Sequence, residues 1–462
     1  MMTENDINLV KIILFSWMFF WAFVSARELI FKRYYSICIV IIFHFFSTGV
    51  PLLLDVLIGQ PKYDFFIFLE NLRIASKDET TFWIYCLYVA IAPLIWWYTG
   101  RPKKARQFLV NNHVLSQNFM DLNVNYKFSK NFKFIKLFWI FFCYFLLFLP
   151  TILWFFSPNP SLYLTYGDAK SIRILSDAEG NHHRLIYFYC YVSLLGAMGL
   201  ISLQKKKVLS YLNFGFWLTF LTPMFIAFWL HGKRNIIAYG IFVIFMSLMA
   251  NGYIKGKKIL ILLVTVIISF GWFSYFYQTS LVRDINQDKI YEISRLDYAS
   301  DHLIKISIYS ELNPDKIRIL DYKFQTFYFN VVQYIPRLLW AGKPSIYSYG
   351  PLLSAATFQI PVEDIRGGIK GCWLAEALSN FGWTGILFGP LMMSLFCRTG
   401  DNTNNKFITI FTSLIALRLT IGYLSLVNTS LLIVWGIFVL RCRHIKKRKI
   451  NSLHRFNHID FE

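Results

Sequence analysis

Long apolar runs alternate with short polar segments along almost the whole chain. Many of these runs are roughly 20 residues long, the length at which a helix crosses the hydrocarbon core of a bilayer. The pattern therefore predicts about eleven membrane-spanning helices. They cover roughly residues 9–26, 36–59, 82–99, 137–156, 185–203, 208–230, 236–254, 259–277 and 374–396, with two short spans between 407 and 440.

The other structure that spans a bilayer, a closed β-barrel, would show strands of about ten residues with alternating polarity. Such alternation is absent from this sequence. Composition agrees, because 56% of the 462 residues are hydrophobic and 16% are charged, against about 25% charged in soluble domains. The predicted fold class is an all-α polytopic integral membrane protein with one large external loop that contains amphipathic helices.

The net charge of +21 is concentrated in the segments that follow every second predicted span. Cytoplasmic loops of membrane proteins carry the excess of Lys and Arg, so we predict an external N-terminus and a cytoplasmic C-terminus. Charge with this distribution gives no reason to expect a nucleic-acid partner. The seven cysteines are scattered without a C-x-x-C pair, so neither a metal site nor a redox centre is predicted.

The chain accordingly divides into four segments. Residues 1–277 hold the first eight spans, 278–371 the large external loop, 372–440 the last three spans and 441–462 a basic cytoplasmic tail. A loop of this length is too long for a plain connector, so we expect it to carry function or a structure of its own.

Within the loop, Asn313-Pro314-Asp315 is typical of a helix start: Asn as N-cap, Pro at the first helical position and Asp near the positive end of the dipole. Apolar residues then recur at steps of three and four as far as Pro336, which predicts an amphipathic helix. Two placements stay open: against the outer leaflet, or packed on the protein's own spans. The apolar positions are Ile317, Leu320, Phe324, Phe327, Val331 and Ile335.

Basic residues follow this helix at Arg337, Lys343 and Arg366. Prolines fix the backbone beside the first two of these positions. A rigid, basic and interfacial segment suits the phosphate of a lipid headgroup. The alternative is that Arg337 and Lys343 pair with acids such as Glu363 and Asp364.

Two more cations, Arg234 and Arg283, lie at span ends that the orientation places outside. External cations run against the positive-inside tendency and need a reason. Arginine binds phosphate oxygens bidentately, so Arg234, Arg283 and Arg337 could converge on one diphosphate. For Arg283, a pair with its neighbour Asp284 is the competing interpretation.

Glu376 and Asn380 begin the ninth predicted span one helical turn apart, hence on one face. An acid at the start of a membrane helix is a functional candidate. Glu376 could act as a general base on a sugar hydroxyl, or it could favour the helix N-terminus electrostatically. Three glycines predict close helix packing and a proline predicts a kink further along, at Gly382, Gly385, Gly389 and Pro390.

The chain combines many spans and a large late external loop with two motifs, I-P-R-L-L-W-A-G-K-P and A-E-A-L-S-N-F-G-W-T-G. In this combination it resembles the bacterial oligosaccharide repeat unit polymerases, the O-antigen polymerases of the Wzy type. The resemblance covers residues 234–389 in its motifs, plus the overall topology. It implies a GT-C-like membrane glycosyltransferase at the periplasmic side of the bacterial inner membrane. Such an enzyme moves a growing glycan from undecaprenyl diphosphate to a new undecaprenyl-diphosphate-linked repeat unit.

The resemblance also implies the chemistry of the site. The diphosphate leaving group provides the driving force, so no nucleotide sugar, metal or other cofactor is expected, and a chain-length regulator is a candidate partner beside the lipid bilayer. The roles carried over fall on Arg283, Arg337, Lys343, Glu376 and Asn380. Paired R-x(10)-G elements, described for some members, have no match after either arginine.

The base that accepts the proton of the incoming hydroxyl is assigned to Glu376 first and to Glu363 second. Two rival functions stay open. A flippase for lipid-linked oligosaccharide would favour internal repeats and charges at mid-membrane depth, and an O-antigen ligase would use the same donor with a different acceptor.

Overall fold

A computed structural model describes residues 4–32, 36–63, 69–102, 131–164, 166, 176–203, 214–251, 253–254, 257–276, 290–336, 338–365 and 368–457. Within these ranges all regular secondary structure is helical. The prediction of an α-helical protein is confirmed.

The helices of the first part of the chain are α1 (Glu4–Arg27), α2 (Ser36–His44), α3 (Val50–Leu57), α4 (Glu70–Lys77), α5 (Glu79–Thr99), α6 (Asn131–Phe155), α7 (Asp177–Leu203), α8 (Phe214–His231), α9 (Arg234–Ala250) and α10 (Lys257–Phe276). Those of the later part are α11 (Ile290–Tyr298), α12 (Asp301–Leu312), α13 (Gln325–Val332), α14 (Tyr349–Phe358), α15 (Trp373–Phe381), α16 (Gly385–Asp401), α17 (Lys406–Thr420) and α18 (Leu426–Asn457). Short π-helical turns lie at Glu28–Lys32 and Phe45–Gly49, and 3₁₀ turns at Pro160–Leu164, Val362–Asp364 and Gly382–Thr384.

Among the described residues, eight helical stretches are long and apolar enough, by length and composition alone, to cross a membrane. They coincide with the first six, the ninth and the last of the predicted spans. The stretches are Asn5–Ile30, Ser36–Leu57, Glu79–Thr99, Lys136–Phe155, Ala178–Leu203, Phe214–His231, Trp373–Asp401 and Leu426–His444. The membrane class is thereby confirmed, whereas the number eleven stays a prediction.

Helix α1 illustrates why these helices suit lipid. One face buries Leu14, Met18 and Trp21, while Ile13 and Phe23 on the remaining surface are exposed. Large apolar side chains left in water would form a patch of the kind that soluble monomers avoid. In a bilayer the same surface meets acyl chains.

The described fold contains two compact units. The first comprises 1–106, 284–402 and 415–436, and the second 107–283, 403–414 and 437–462. Much of the predicted external loop therefore belongs to the same unit as the first three spans.

At the centre of the first unit is α12, whose residues from Asp301 to Ser310 are all buried. It packs against α4, α5 and α15. A segment predicted to be loop thus provides a core helix, which fits its run of Leu303, Ile304, Ile306 and Ile308.

The ninth predicted span, residues 374–396, is not one continuous helix. The Trp373 indole Nε1 donates to the Gly389 carbonyl at 2.8 Å, although these residues would lie about 24 Å apart along an unbroken helix. The chain reverses at Gly382, whose φ of +60° and ψ of −147° are accessible essentially to glycine alone. Helices α15 and α16 therefore form a tight hairpin, and the bend lies eight residues before the proline expected to kink the span.

Two of the predicted packing glycines lie inside this hairpin. A Cβ at Gly385 would be 2.5 Å from the Ala377 carbonyl oxygen, and one at Gly389 would be 2.9 Å from the Ala377 Cβ. The Tyr88 hydroxyl of α5 donates to the Leu374 carbonyl at 3.0 Å and lies 3.3 Å from the Gly385 carbonyl. The predicted close packing is confirmed for Gly385 and Gly389, whereas Gly382 forms the turn of the hairpin.

The predicted helix start at Asn313 is wrong, because Asn313 is the C-cap of α12 and no helix begins there. The residue before a proline is disfavoured in the α region, so Pro314 ends the preceding helix. Next come buried Ile317, Ile319 and Leu320, and α13 begins at Gln325.

The second unit contains α6–α10. Helices α6 and α7 approach closely because Gly196 and Gly199 leave no room for a Cβ beside Cys143. A buried apolar cluster joins α7 and α8 through Ile186, Cys190, Ala227 and Leu230.

Candidate functional site

An open cavity of about 420 Å³ lies in the first unit beside the turn that joins α15 to α16. Both acidic and basic side chains line it, together with a tyrosine ring. Its walls are Ser310, Glu311, Pro314, Asp315, Arg318, Ile319, Leu320, Tyr322, Lys323 and Ser379. Convergent polar groups in a concave site are what a small-molecule or glycan site requires.

The cavity is organised by an ion pair between Glu311 and Lys323. The Lys323 Nζ lies 2.5 Å and 2.7 Å from the two Glu311 carboxylate oxygens, and it also donates to the Ser379 carbonyl at 3.2 Å. The Glu311 side chain is 16% exposed and the Lys323 side chain 49%, so both groups can reach a ligand.

Gly382 places the hairpin turn against this pair. A Cβ at Gly382 would lie 3.6 Å from a Glu311 carboxylate oxygen and 3.7 Å from the Lys323 Cε. The backbone conformation that reverses the chain also brings α15 beside the cavity.

Arg318 shapes another wall of the cavity by binding its own backbone. Its Nε donates to the Leu320 carbonyl at 3.0 Å, and its Nη2 donates to the Asp321 carbonyl. Asp315 and Tyr322 are exposed on the same wall, where a carboxylate and a phenol ring are available to sugar hydroxyls and to a sugar face.

Glu376 and Asn380 share a face of α15, as predicted, but that face is fully buried. The Thr326 hydroxyl donates to Glu376 Oε1 at 2.7 Å, and the Leu424 amide donates to Oε2 at 2.7 Å. Asn380 Nδ2 donates to the Thr326 hydroxyl at 2.9 Å. In this arrangement Glu376 joins α13, α15 and the turn before α18, and both of its oxygens are occupied.

A second polar group, buried rather than open, is centred on Arg295 of α11. Arg295 Nη1 lies 2.6 Å from Asp55 Oδ1 and Nη2 lies 2.9 Å from Asp301 Oδ2. Lys11 Nζ is 3.9 Å from Asp55 and Lys305 Nζ is 3.5 Å from Asp301. We refer to these five residues as the Arg295 cluster; all five are buried.

The electrostatics of the cluster follow from its composition. Burial alone would lower the pKa of Arg295, but the carboxylates of Asp301 and Asp55 outweigh it and raise that pKa. Burial alone would raise the pKa of Asp301, but Arg295 and Lys305 hold it well below its usual range. Three cations face two carboxylates, so the cluster carries one excess positive charge when all five groups are ionised.

His302 adjoins the cluster without a hydrogen bond. Its Nδ1 is 3.7 Å from Asp301 Oδ1, and neither ring nitrogen has a hydrogen-bond partner. Burial lowers its pKa, because an imidazolium would be desolvated there.

The remaining predicted site residues are dispersed or lie outside the described ranges. Lys343 donates to the backbone carbonyls of Ile335 at 2.9 Å and Gln333 at 3.4 Å, and no described ion pair joins it to Glu363 or Asp364. Glu363 is exposed in a 3₁₀ turn, and Arg234 is the partly exposed first residue of α9 in the second unit. Arg283, Arg337 and Arg366 lie outside the described residues, and with them the proposed convergence on a diphosphate.

Sequence reasoning missed both polar groups. Lys11 and Asp55 each interrupt an apolar run, and a charge inside a predicted span signals a buried partner, so two of the five residues of the Arg295 cluster could be recognised from the sequence. Glu311 and Lys323 gave no such signal, because they are twelve positions apart and mostly irregular chain separates them.

Among the described residues, no three His, Cys, Asp or Glu side chains are grouped as metal ligands are. Comparison of the chain with protein-family models, with curated proteins and with solved structures finds no match.

Proposed function

We propose that this chain is a membrane glycosyltransferase that joins undecaprenyl-diphosphate-linked oligosaccharide repeat units into a surface polysaccharide. The cavity at the α15–α16 turn carries the proposal, because it gathers carboxylates, an ammonium group and an aromatic ring in one open site. The motif resemblance of residues 335–344 and 375–385 supplies the reaction class.

The position of the cavity supports an outward-facing site. It lies at the Gly385 end of α16, and the pattern of basic segments assigns that end to the outside of the membrane. Lipid-linked repeat units are polymerised on that side in the family that the sequence resembles.

We assign Glu311 as the general base that activates the acceptor hydroxyl. Its carboxylate takes the proton of the attacking hydroxyl as that oxygen bonds to the anomeric carbon. The glycosyl–phosphate bond breaks, and its electron pair leaves on the diphosphate. Lys323 holds the carboxylate in place and lends positive charge to the site, while Arg283, Arg337, Arg366 and Lys343 remain proposed ligands of the diphosphate.

Reconstitution tests this directly. Purified protein in liposomes, supplied with undecaprenyl-diphosphate repeat units, should convert them into a ladder of glycan lengths. Glu311→Gln should reduce elongation by about 100-fold or more, and Lys323→Gln should reduce it as well. Exposed Glu70 and Lys316 provide matched controls, so Glu70→Gln and Lys316→Gln should leave the ladder unchanged.

A wild-type protein that forms no ladder would overturn the proposed function. A full ladder from Glu311→Gln would be compatible with the proposed reaction but would show that Glu311 is not its general base.

The Arg295 cluster favours a second candidate, a flippase for the same lipid-linked unit, because buried ionisable groups between spans often mark a transport path. Its members lie near span ends, however: Lys11 is the seventh residue of Asn5–Ile30 and Asp55 the third from the end of Ser36–Leu57. Transbilayer movement of labelled units without elongation would identify the flippase.

A further inference from the structure

An exposed apolar surface runs from the start of α13 through the turn that follows it. Leu338 is 95% exposed, Leu339 78% and Val331 69%. Aromatic side chains that are about half exposed continue the surface, at Phe324, Tyr328 and Tyr334. We call residues 324–340, as far as they are described, the apolar strip.

The apolar strip is tied to one end of a candidate span. The Tyr334 hydroxyl lies 3.0 Å from the Ser430 hydroxyl, and the Thr429 hydroxyl donates to Asn330 Oδ1 at 2.6 Å. Both partners belong to the first two turns of α18, whose candidate span begins at Leu426. These bonds set the strip at the level where this helix enters the bilayer.

The strip is also continuous with the lipid-facing surface of that helix. Leu426 is 48% exposed and Ile433 49%, and Tyr334, which bonds Ser430 between them, belongs to the strip. A surface that continues a membrane-facing helix meets the same surroundings as the helix does. Its composition agrees, because tyrosine and tryptophan are enriched where acyl chains give way to headgroups.

The turn that presents the two leucines is held from within. Lys343 Nζ donates to the carbonyls of Ile335 and Gln333, which join the end of the turn to its beginning. Leu338 and Leu339 therefore project from a closed turn rather than from an open chain.

We propose that the apolar strip is an interfacial membrane element, and that Leu338 and Leu339 insert among the acyl chains of the leaflet at the Leu426 end of α18. The occupant of this surface is bilayer lipid, because the strip adjoins a span and the leucines at its tip have no apolar cover. The proposal is independent of the glycosyltransferase assignment, since it concerns depth in the membrane and not catalysis.

Depth measurements with a nitroxide label in lipid nanodiscs test the proposal. The labelled variants are Leu338→Cys at the tip, Val331→Cys on α13 and Lys316→Cys on the polar turn as a water-facing control. All seven native cysteines are buried, so labelling should be confined to the new site. We expect the label at position 338 to collide mainly with oxygen and the label at position 316 to collide mainly with a water-soluble nickel chelate. The label at position 331 should show an intermediate ratio of the two collision rates.

Equal access of the nickel chelate to Leu338→Cys and Lys316→Cys would overturn the proposal. A Leu338 label shielded from both oxygen and nickel would overturn it as well, because it would mean that protein covers the strip. Either result leaves the ladder assay unaffected, so the two proposals fail separately.

Discussion

His302 shows how a single buried side chain makes the stability of this protein depend on pH. Its pKa is lowered in the folded chain, first by burial and then by Arg295 and Lys370, although Asp301 opposes this. The pKa of an unfolded histidine is about 6.5, so His302 makes the folded state lose stability as the pH falls below that value.

We therefore expect the thermal unfolding midpoint in detergent to respond less favourably to a change from pH 8 to pH 5 in the wild type than in His302→Gln. Each pH unit between the unfolded and the folded pKa of the histidine costs about 1.4 kcal/mol, because only the unfolded chain binds the proton there. Asp301 does not contribute in this window, because its lowered pKa preserves its stabilisation until the pH falls below the ordinary range of an aspartate. His302→Gln should therefore remove the histidine's share of the pH dependence, whereas His444→Gln, at an exposed position, should match the wild type.

Glu376 offers a test that separates a structural role from a catalytic one. In Glu376→Gln the amide oxygen can still accept from the Leu424 N–H, and the amide NH₂ can donate to the Thr326 hydroxyl oxygen in a bond of reversed direction, so both contacts of residue 376 are kept. We expect this variant to keep both the unfolding midpoint and glycan elongation. Glu376→Ala leaves the Leu424 N–H without an acceptor and should cost about 1–3 kcal/mol. Loss of elongation in Glu376→Gln at an unchanged midpoint would instead identify Glu376 as the base.

The sequence predicted some residue-scale features and could not predict others. The i, i+4 spacing of Glu376 and Asn380 correctly placed them on one face, because that relation depends on helix geometry alone. The sequence could not identify the hydrogen-bond partners of that face, because Thr326 and Leu424 lie about 50 residues away on either side. The sequence also did not show that the Lys343 ammonium group, predicted to bind phosphate, donates to the backbone carbonyls of Ile335 and Gln333.

At the scale of elements, the α15–α16 hairpin is the clearest departure from hydrophobicity-based expectation. Residues 373–401 have the length and hydropathy expected of one long span. Neither property reveals whether the chain reverses direction within the segment. The local signal was Gly382, but a glycine in an apolar run is equally typical of close helix packing. Only the positive φ of Gly382 distinguishes a turn from a packing position.

Packing within the hairpin gives the prediction at this scale. In Gly385→Ala the new methyl would lie 2.5 Å from the Ala377 carbonyl oxygen and 2.7 Å from the Leu378 Cα. Because backbone atoms cannot move aside as a side chain can, we expect a loss of about 1–3 kcal/mol. The unfolding midpoint should fall accordingly. Gly436→Ala is the matched control in α18, where no atom lies within 4 Å of the added Cβ, and an unchanged or higher midpoint is expected there. Equal midpoints for the two variants would show that the hairpin is not closely packed at Gly385.

At the scale of the whole molecule, contacts within the first unit agree with the predicted alternation of span directions. Asp401 at the end of α16 accepts from the Ser36 amide at 2.8 Å and from its hydroxyl at 2.7 Å, and the sequence assigns both residues to the cytoplasmic side. Lys11 and Asp55 meet through the Arg295 cluster, and both belong to span ends assigned to the outside. The contacts establish which ends lie together, whereas the side on which each group lies follows from the basic segments alone.

Labelling in spheroplasts decides which side that is. A membrane-impermeant maleimide should modify Lys316→Cys before lysis, because this exposed turn neighbours the cavity and is assigned to the outside. Arg443→Cys, exposed at the C-terminal end of the last candidate span, should be modified only after lysis. The buried native cysteines keep the background low in both variants. The opposite result would turn the cavity toward the cytoplasm and the basic segments outward. It would contradict both the predicted orientation and the polymerase proposal, because the proposed reaction takes place on the outer side of the membrane and Glu311 and Lys323 would then face the cytoplasm.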